Sequence, residues 1–278
     1  MLEFENMLHN EFTSLVFKIT FYLFMFIFGI CIGSFLNVVI LRLPCGESLI
    51  KRSSHCMTCG TKIRAIDLIP VFSWIFLRGK CHSCGEKISA RYPIVESLNG
   101  LLYVLIFYVL DINVESIITC VLMSLLIIVG FMDWDTMEIN EIILGIIALL
   151  AVPLAIFTDE VSIKSRIIGA FVISVPFFLI GEISRPIIRK KFDEDFRAIE
   201  LGDTLLMAAA GAVLGTRAII VSTLIGIVAA ALGGLINKAV TKDSKFAFGP
   251  FLSIGIAIGS LWGDQIASWY INLLNNPV

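Results

Sequence analysis

Residues 127–145 read IIVGFMDWDTMEINEIILG. An apolar run ends in Asp133, Trp134 and Asp135. Glu138 and Glu141 follow, and the chain turns apolar again at once. The acids fall where one apolar helix meets a membrane surface and before the next one begins. Charge at that depth is costly, so ionisable residues there are functional suspects by default.

The composition around this stretch agrees with a membrane setting. Of 278 residues, 58% are hydrophobic and 16% charged, against about a quarter charged in a soluble domain. The mean hydropathy is +0.92. The apolar residues gather in runs of bilayer-crossing length, roughly 17–25 residues. Eight such spans are expected, near 15–41, 94–110, 116–132, 139–157, 166–188, 201–216, 218–236 and 247–271. The fold class is an all-α polytopic membrane protein embedded in a lipid bilayer. The first run has an acidic flank (Glu3, Glu5, Glu11) and no small-residue cleavage site after it, so it reads as a retained helix. The net charge of −2 points to no nucleic-acid partner.

Lysine and arginine set the orientation. Segment 42–93 carries nine of them, 185–200 five and 237–245 three, while the opposite sides hold only Lys164, Arg166 and Arg217. The basic segments are therefore expected in the cytoplasm, with both termini on the other side of the membrane. Three domains are expected: a first transmembrane helix (1–41), a cytoplasmic loop (42–93) and a seven-helix membrane domain (94–278).

The loop contains two Cys-x-x-Cys pairs, Cys56/Cys59 and Cys81/Cys84, each followed by a glycine (Gly60, Gly85). Two such knuckles make a tetrahedral four-cysteine zinc site, and a site closed by four thiolates is structural. Two disulfides are the competing reading, disfavoured where thiols stay reduced. His55 and His82 adjoin the ligands as surface histidines. Between the pairs runs an apolar stretch from Leu68 to Leu77, expected on the membrane face.

The expected orientation brings two sequence-distant acids to one face. Asp133 ends the third span, and Asp203, in AIELGDTLLMAAAG, begins the sixth. Two carboxylates that share a proton can hold a water between them, one as base and one as acid. The plainer alternative is a pair of helix-end acids, Asp203 as a cap and Asp133 solvated. Asp135 lies two residues from Asp133 and so points to a different side of a helix. Periodicity alone does not decide between them. Glycines four apart (Gly29/Gly33, Gly211/Gly215, Gly255/Gly259) read as ordinary membrane packing. FGP at 248–250 is positioned to break the start of the last span.

Taken together, these segments resemble the type IV prepilin leader peptidases. The resemblance covers nearly the whole chain: GSFLNVVILRLP (33–44), both cysteine pairs, RYPIVE (91–96), DWD, LGD, FGPFLSIG (248–255) and WGDQ (262–265). It implies an inner-membrane aspartyl protease that cleaves prepilins or pseudopilins. Their short basic leaders end in Gly and precede an apolar helix with Glu at the fifth mature position. It also implies S-adenosylmethionine-dependent N-methylation of the new N terminus. It assigns catalysis to Asp133 and Asp203, and zinc to Cys56, Cys59, Cys81 and Cys84. Asn37, Glu96 and the cysteine loop are candidates for the methyl transfer by location and resemblance alone. Two departures stand out. The family's G-x-G-D-x-K-L reads ELGDTLL, with Glu200 for Gly and Leu205 for Lys, and its Leu-Pro-Asp reads INE at 139–141. They leave room for a specialised or impaired paralogue, one lacking methyl transfer. The rival from another class is a non-catalytic scaffold or an ion-coupled transporter, which calls for acids at the bilayer midplane.

Overall fold

The computed structural model describes residues 2–51, 53–192, 199–241 and 247–275, with side-chain detail for 15–51, 53–186, 199–239 and 247–275. Much of the expected basic segments 185–200 and 237–245 lies outside the described residues. The helices are α1 (Leu2–Arg42), α2 (Phe72–Phe76), α3 (Arg91–Leu110), α4 (Val114–Thr136), α5 (Glu141–Leu149), α6 (Ala151–Phe157), α7 (Ile163–Val172), α8 (Ser174–Phe192), α9 (Leu201–Thr241) and α10 (Gly249–Asn275). Among the described residues the only extended pairings are two isolated bridges in the cysteine loop.

Helix stands at all eight expected positions. Five segments are long and apolar enough to cross a membrane: Leu15–Arg42, Arg91–Leu110, Val114–Thr136, Ile163–Pro186 and Thr216–Ala239. Glu141–Phe157 and Leu201–Leu214 are shorter apolar helices, and α10 carries Asp264 and Gln265 within its apolar run. The breaks have local causes. Proline clashes with the carbonyl four residues back and removes a donor. Pro153 accordingly separates α5 from α6 at Leu150, and Pro176 separates α7 from α8 at Ile173.

The chain divides into two compact units, residues 1–111 and 112–278. In the first, α3 packs along α1. The small residues expected to pack do so: a Cβ on Gly29 would lie 2.7 Å from Gly100 Cα, and one on Gly33 2.7 Å from Glu96 Cα. Asn99 Nδ2 donates to the Gly29 carbonyl at 2.7 Å, and Asn37 Nδ2 to the Tyr92 carbonyl at 3.1 Å. These bonds tie the helices where side-chain volume is smallest.

In the second unit, α9 runs through the middle, packed on α10, α7, α5 and α8. It is one element except at Gly215, which adopts φ +79°, a conformation open to glycine at little cost. This break frees carbonyls that a bilayer interior cannot hydrate. Arg166 of α7, 5% exposed, answers them: its Nη1 donates to the Val213 carbonyl and, at 3.4 Å, to that of Ala212. Thr216 N–H donates to Ser165 Oγ at 3.0 Å, and Thr216 Oγ1 to the Ser165 carbonyl at 2.9 Å. Gly169 and Gly211 meet backbone to backbone, which lets α7 reach the break.

Candidate active site and metal centre

The cysteine loop is built from two copies of one turn. In the first, Cys56 N–H donates to Thr61 O at 3.0 Å, Gly60 N–H to Cys56 O at 2.9 Å and Ile63 N–H to Ser54 O at 2.9 Å. In the second, Cys81 N–H donates to Glu86 O at 2.7 Å, Gly85 N–H to Cys81 O at 2.9 Å and Ile88 N–H to Gly79 O at 2.8 Å. The bridges His55–Lys62 and Lys80–Lys87 close the two turns identically. Gly60 and Gly85 hold φ of +69° and +73°, which explains the glycine after each pair.

The two turns face each other, and the four sulfurs all lie within 4.8 Å of one another. Cys56 and Cys84 Sγ are 3.8 Å apart. Thiolates about 2.3 Å from a tetrahedral ion stand about 3.8 Å from each other, so the donor set fits zinc. His55 and His82 are outside the cluster. Thr61, through its hydroxyl and its backbone, lowers the Cys59 thiol to about 6. Backbone N–H groups of Cys84 and Ser83 lower Cys81. For Cys84 the Glu86 backbone also pulls downward, but desolvation and the three neighbouring sulfurs outweigh it and push the thiol up to about 12. Four thiolates at this spacing crowd like charge that a bound cation would offset.

Between the knuckles lie a 3₁₀ turn, Ala65–Leu68, and α2. Trp74 packs over Gly79, and its Nε1–H donates to Ile88 O at 3.1 Å. Ile66, Ile69, Phe72, Ile75 and Phe76 are exposed. Val71 takes φ +63°, uncommon for a β-branched residue, inside a tight turn in which Phe72 N–H donates to Pro70 O at 2.6 Å. Its own N–H donates to Glu96 Oε2 at 2.6 Å, so a buried carboxylate of α3 holds the strained turn.

The acids quoted first lie in the second unit. Asp133, in the last turn of α4, is 6% exposed, and Asp203, in the first turn of α9, is 5% exposed. Neither is a solvated helix-end acid. The charge of Asp133 acts on Asp203, and Glu200 acts on both. Asp135 is exposed, as the helical spacing requires. Asp133 Oδ2 accepts the backbone N–H of Gly249, the first residue of α10, at 2.8 Å. The C-terminal end of α4 thus meets the N-terminal end of α10, and Asp203 at the start of α9 lies within electrostatic reach of Asp133.

The departures from the family pattern can be placed. Leu205 is 39% exposed, off the face that carries Asp203. Glu200 is exposed beyond the helix start. Ile139 packs against Gly202, and Asn140 caps α5 by accepting the Ile142 N–H at 2.9 Å. The sequence marked FGP as a break beside the site but not its bond to Asp133, and neither the Glu96–Val71 link nor the Arg166 clamp was legible there.

Comparison with known proteins agrees on both units. Residues 27–110 match the family model of the bacterial peptidase A24 N-terminal domain, and residues 120–235 match that of the type IV leader peptidase family. A prepilin leader peptidase/N-methyltransferase from Aeromonas hydrophila is 33% identical over 279 residues, covering 88% of this chain and 92% of that protein. One of the same name from Bacillus subtilis (strain 168) is 30% identical over 253 residues, covering 90% and 97%. Another, from Myxococcus xanthus (strain DK1622), is 33% identical over 202 residues; the match spans 72% of this chain and 58% of that longer relative. No solved structure matches the chain significantly. With both units matched and relatives covered almost end to end, this membrane protein belongs to the type IV leader peptidase family of aspartic peptidases.

Proposed function

We propose that the protein cleaves the leader of type IV prepilins or pseudopilins with Asp133 and Asp203 as the catalytic pair, and N-methylates the new N terminus. The observation that carries the protease reading is the burial of two interacting carboxylates at one end of the second unit, one of them oriented by a backbone N–H. Two buried acids whose charges act on each other cannot both ionise cheaply, so in this reading they share a proton. One carboxylate then takes a proton from a water as it attacks the scissile carbonyl, and the other donates one to the carbonyl oxygen; the pair titrates as a unit.

The basic loops are read as cytoplasmic. A basic leader held by anionic headgroups at that face brings its junction to the depth of the pair, while its apolar helix stays in the bilayer. The zinc held by Cys56, Cys59, Cys81 and Cys84 is structural: four thiolates leave no open position, so the ion fixes the loop and takes no part in cleavage. S-adenosylmethionine supplies the methyl group for the second activity, as the names of the relatives imply. Glu96, buried on α3, is a candidate for that activity by location and resemblance. The test is to incubate purified protein with a prepilin and S-adenosylmethionine and to weigh the products. A product shortened by its leader and 14 Da heavier than the bare mature chain, roughly one CH₂, supports both activities; an intact prepilin refutes the proposal.

A further inference from the structure

The start of α10 has an unusual donor account. The first N–H groups of a helix lack partners within it and need others. Phe251 and Leu252 N–H both donate to the Phe248 carbonyl, at 3.1 and 3.2 Å, and Pro250 has no N–H. Gly249 N–H is the remaining donor, and it goes to Asp133 across 116 residues of chain at 2.8 Å, in a buried setting. Phe248 is anchored beside it, its ring 6.3 Å from that of Phe177 on α8.

The side of Gly249 that would carry a Cβ faces the same carboxylate. A methyl group there would lie 2.8 Å from Asp133 Oδ2, 3.0 Å from Cγ and 3.1 Å from Cβ. Nothing about the backbone demands glycine, since its φ is not positive. What demands it is the Asp133 side chain. One turn earlier on α4, Gly130 faces the same seam, where a Cβ would sit an ordinary 3.5 Å from Pro250 Cα. The seam is therefore tight at Asp133 and relaxed beside it.

We propose that Gly249 is a positioning residue for leader cleavage: its N–H orients the Asp133 carboxylate, and its missing side chain is the space that carboxylate occupies. This rests on the reading of Asp133 as catalytic. A donor aimed at Oδ2 fixes the orientation of the carboxylate and leaves Oδ1 outside that bond. An alanine keeps the N–H but forces the carboxylate aside, and a displacement of about 1 Å in a catalytic group costs on the order of 100-fold in rate.

The test uses the full chain in detergent, with a prepilin bearing a basic leader that ends in Gly. Gly249→Ala is expected to lower kcat about 100-fold with KM within about twofold, and to keep the thermal unfolding midpoint. Gly130→Ala, the same change on the relaxed part of the seam, should cleave as the parent does. A Gly249→Ala kcat within about threefold of the parent, or a loss shared equally by Gly130→Ala, overturns the proposal. If Gly249→Ala does not fold, the double variant with Asp133→Ala decides. Recovered folding shows that the methyl collides with that carboxylate, and continued misfolding overturns the proposal. Asp133→Asn separates the two readings. If it cleaves normally, the catalytic assignment fails and the positioning role with it. If it is inactive while Gly249→Ala turns over normally, only the positioning role fails.

Discussion

The cysteine loop and the acidic site answer the same problem, gathering like-charged groups, in opposite ways. The loop gathers four thiols at an exposed place with short-range means. Each pair spans four residues, each turn closes on its own backbone, and a divalent ion is expected to offset the charge. The acidic site gathers its groups by burial, from helices more than a hundred residues apart in places; a backbone N–H meets one carboxylate, and the pair is expected to share a proton. The first arrangement tolerates change around it as long as the ligands remain. The second depends on how whole helices pack, so its weak points include residues with no chemistry of their own.

The largest effect should come from the acids. Asp133→Asn and Asp203→Asn are each expected to lower cleavage by about 10³-fold or more while the detergent-solubilised protein stays folded, read by product mass and thermal unfolding. Near-normal cleavage by either would reduce the second region to a structural one. Gly249→Ala should come next, at about 100-fold.

The cysteines should behave otherwise. The purified, reduced protein is expected to hold one zinc per chain by metal analysis. Cys59→Ser or Cys84→Ser should lose that zinc and expose the loop to proteolysis, with cleavage falling by less than in the aspartate variants. A zinc-free loop mutant as inactive as Asp133→Asn would erase the contrast between the regions.

Arg166→Leu probes packing without touching either site. It leaves the Val213 and Ala212 carbonyls without their donor and should destabilise the second unit by about 1–3 kcal/mol, read by chemical or thermal unfolding. The smallest effect is expected from Leu205→Lys. It restores the family's residue, yet its side chain lies off the Asp203 face, so cleavage should change by no more than about threefold. A large gain would mean that the long lysine reaches back to the pair.

Local and repetitive features were legible from the chain alone. Apolar runs marked helix at all eight positions, five of them in segments long and apolar enough to cross a membrane, because a membrane permits few other spanning structures. Cys-x-x-Cys-Gly spelled out the four-sulfur cluster, because the turn that aims two sulfurs is only a few residues long and its glycine is a backbone requirement. The two-residue offset of Asp133 and Asp135 placed them on different sides, one buried and one exposed. Tertiary structure alone decided which donor meets Asp133, which carbonyls Arg166 caps, and why Val71 is held in a strained turn. Each of those contacts joins a side chain to a distant backbone group, and a backbone N–H or C=O carries no mark in the sequence. Only the packing of the helices shows where such a group will be left without its usual partner.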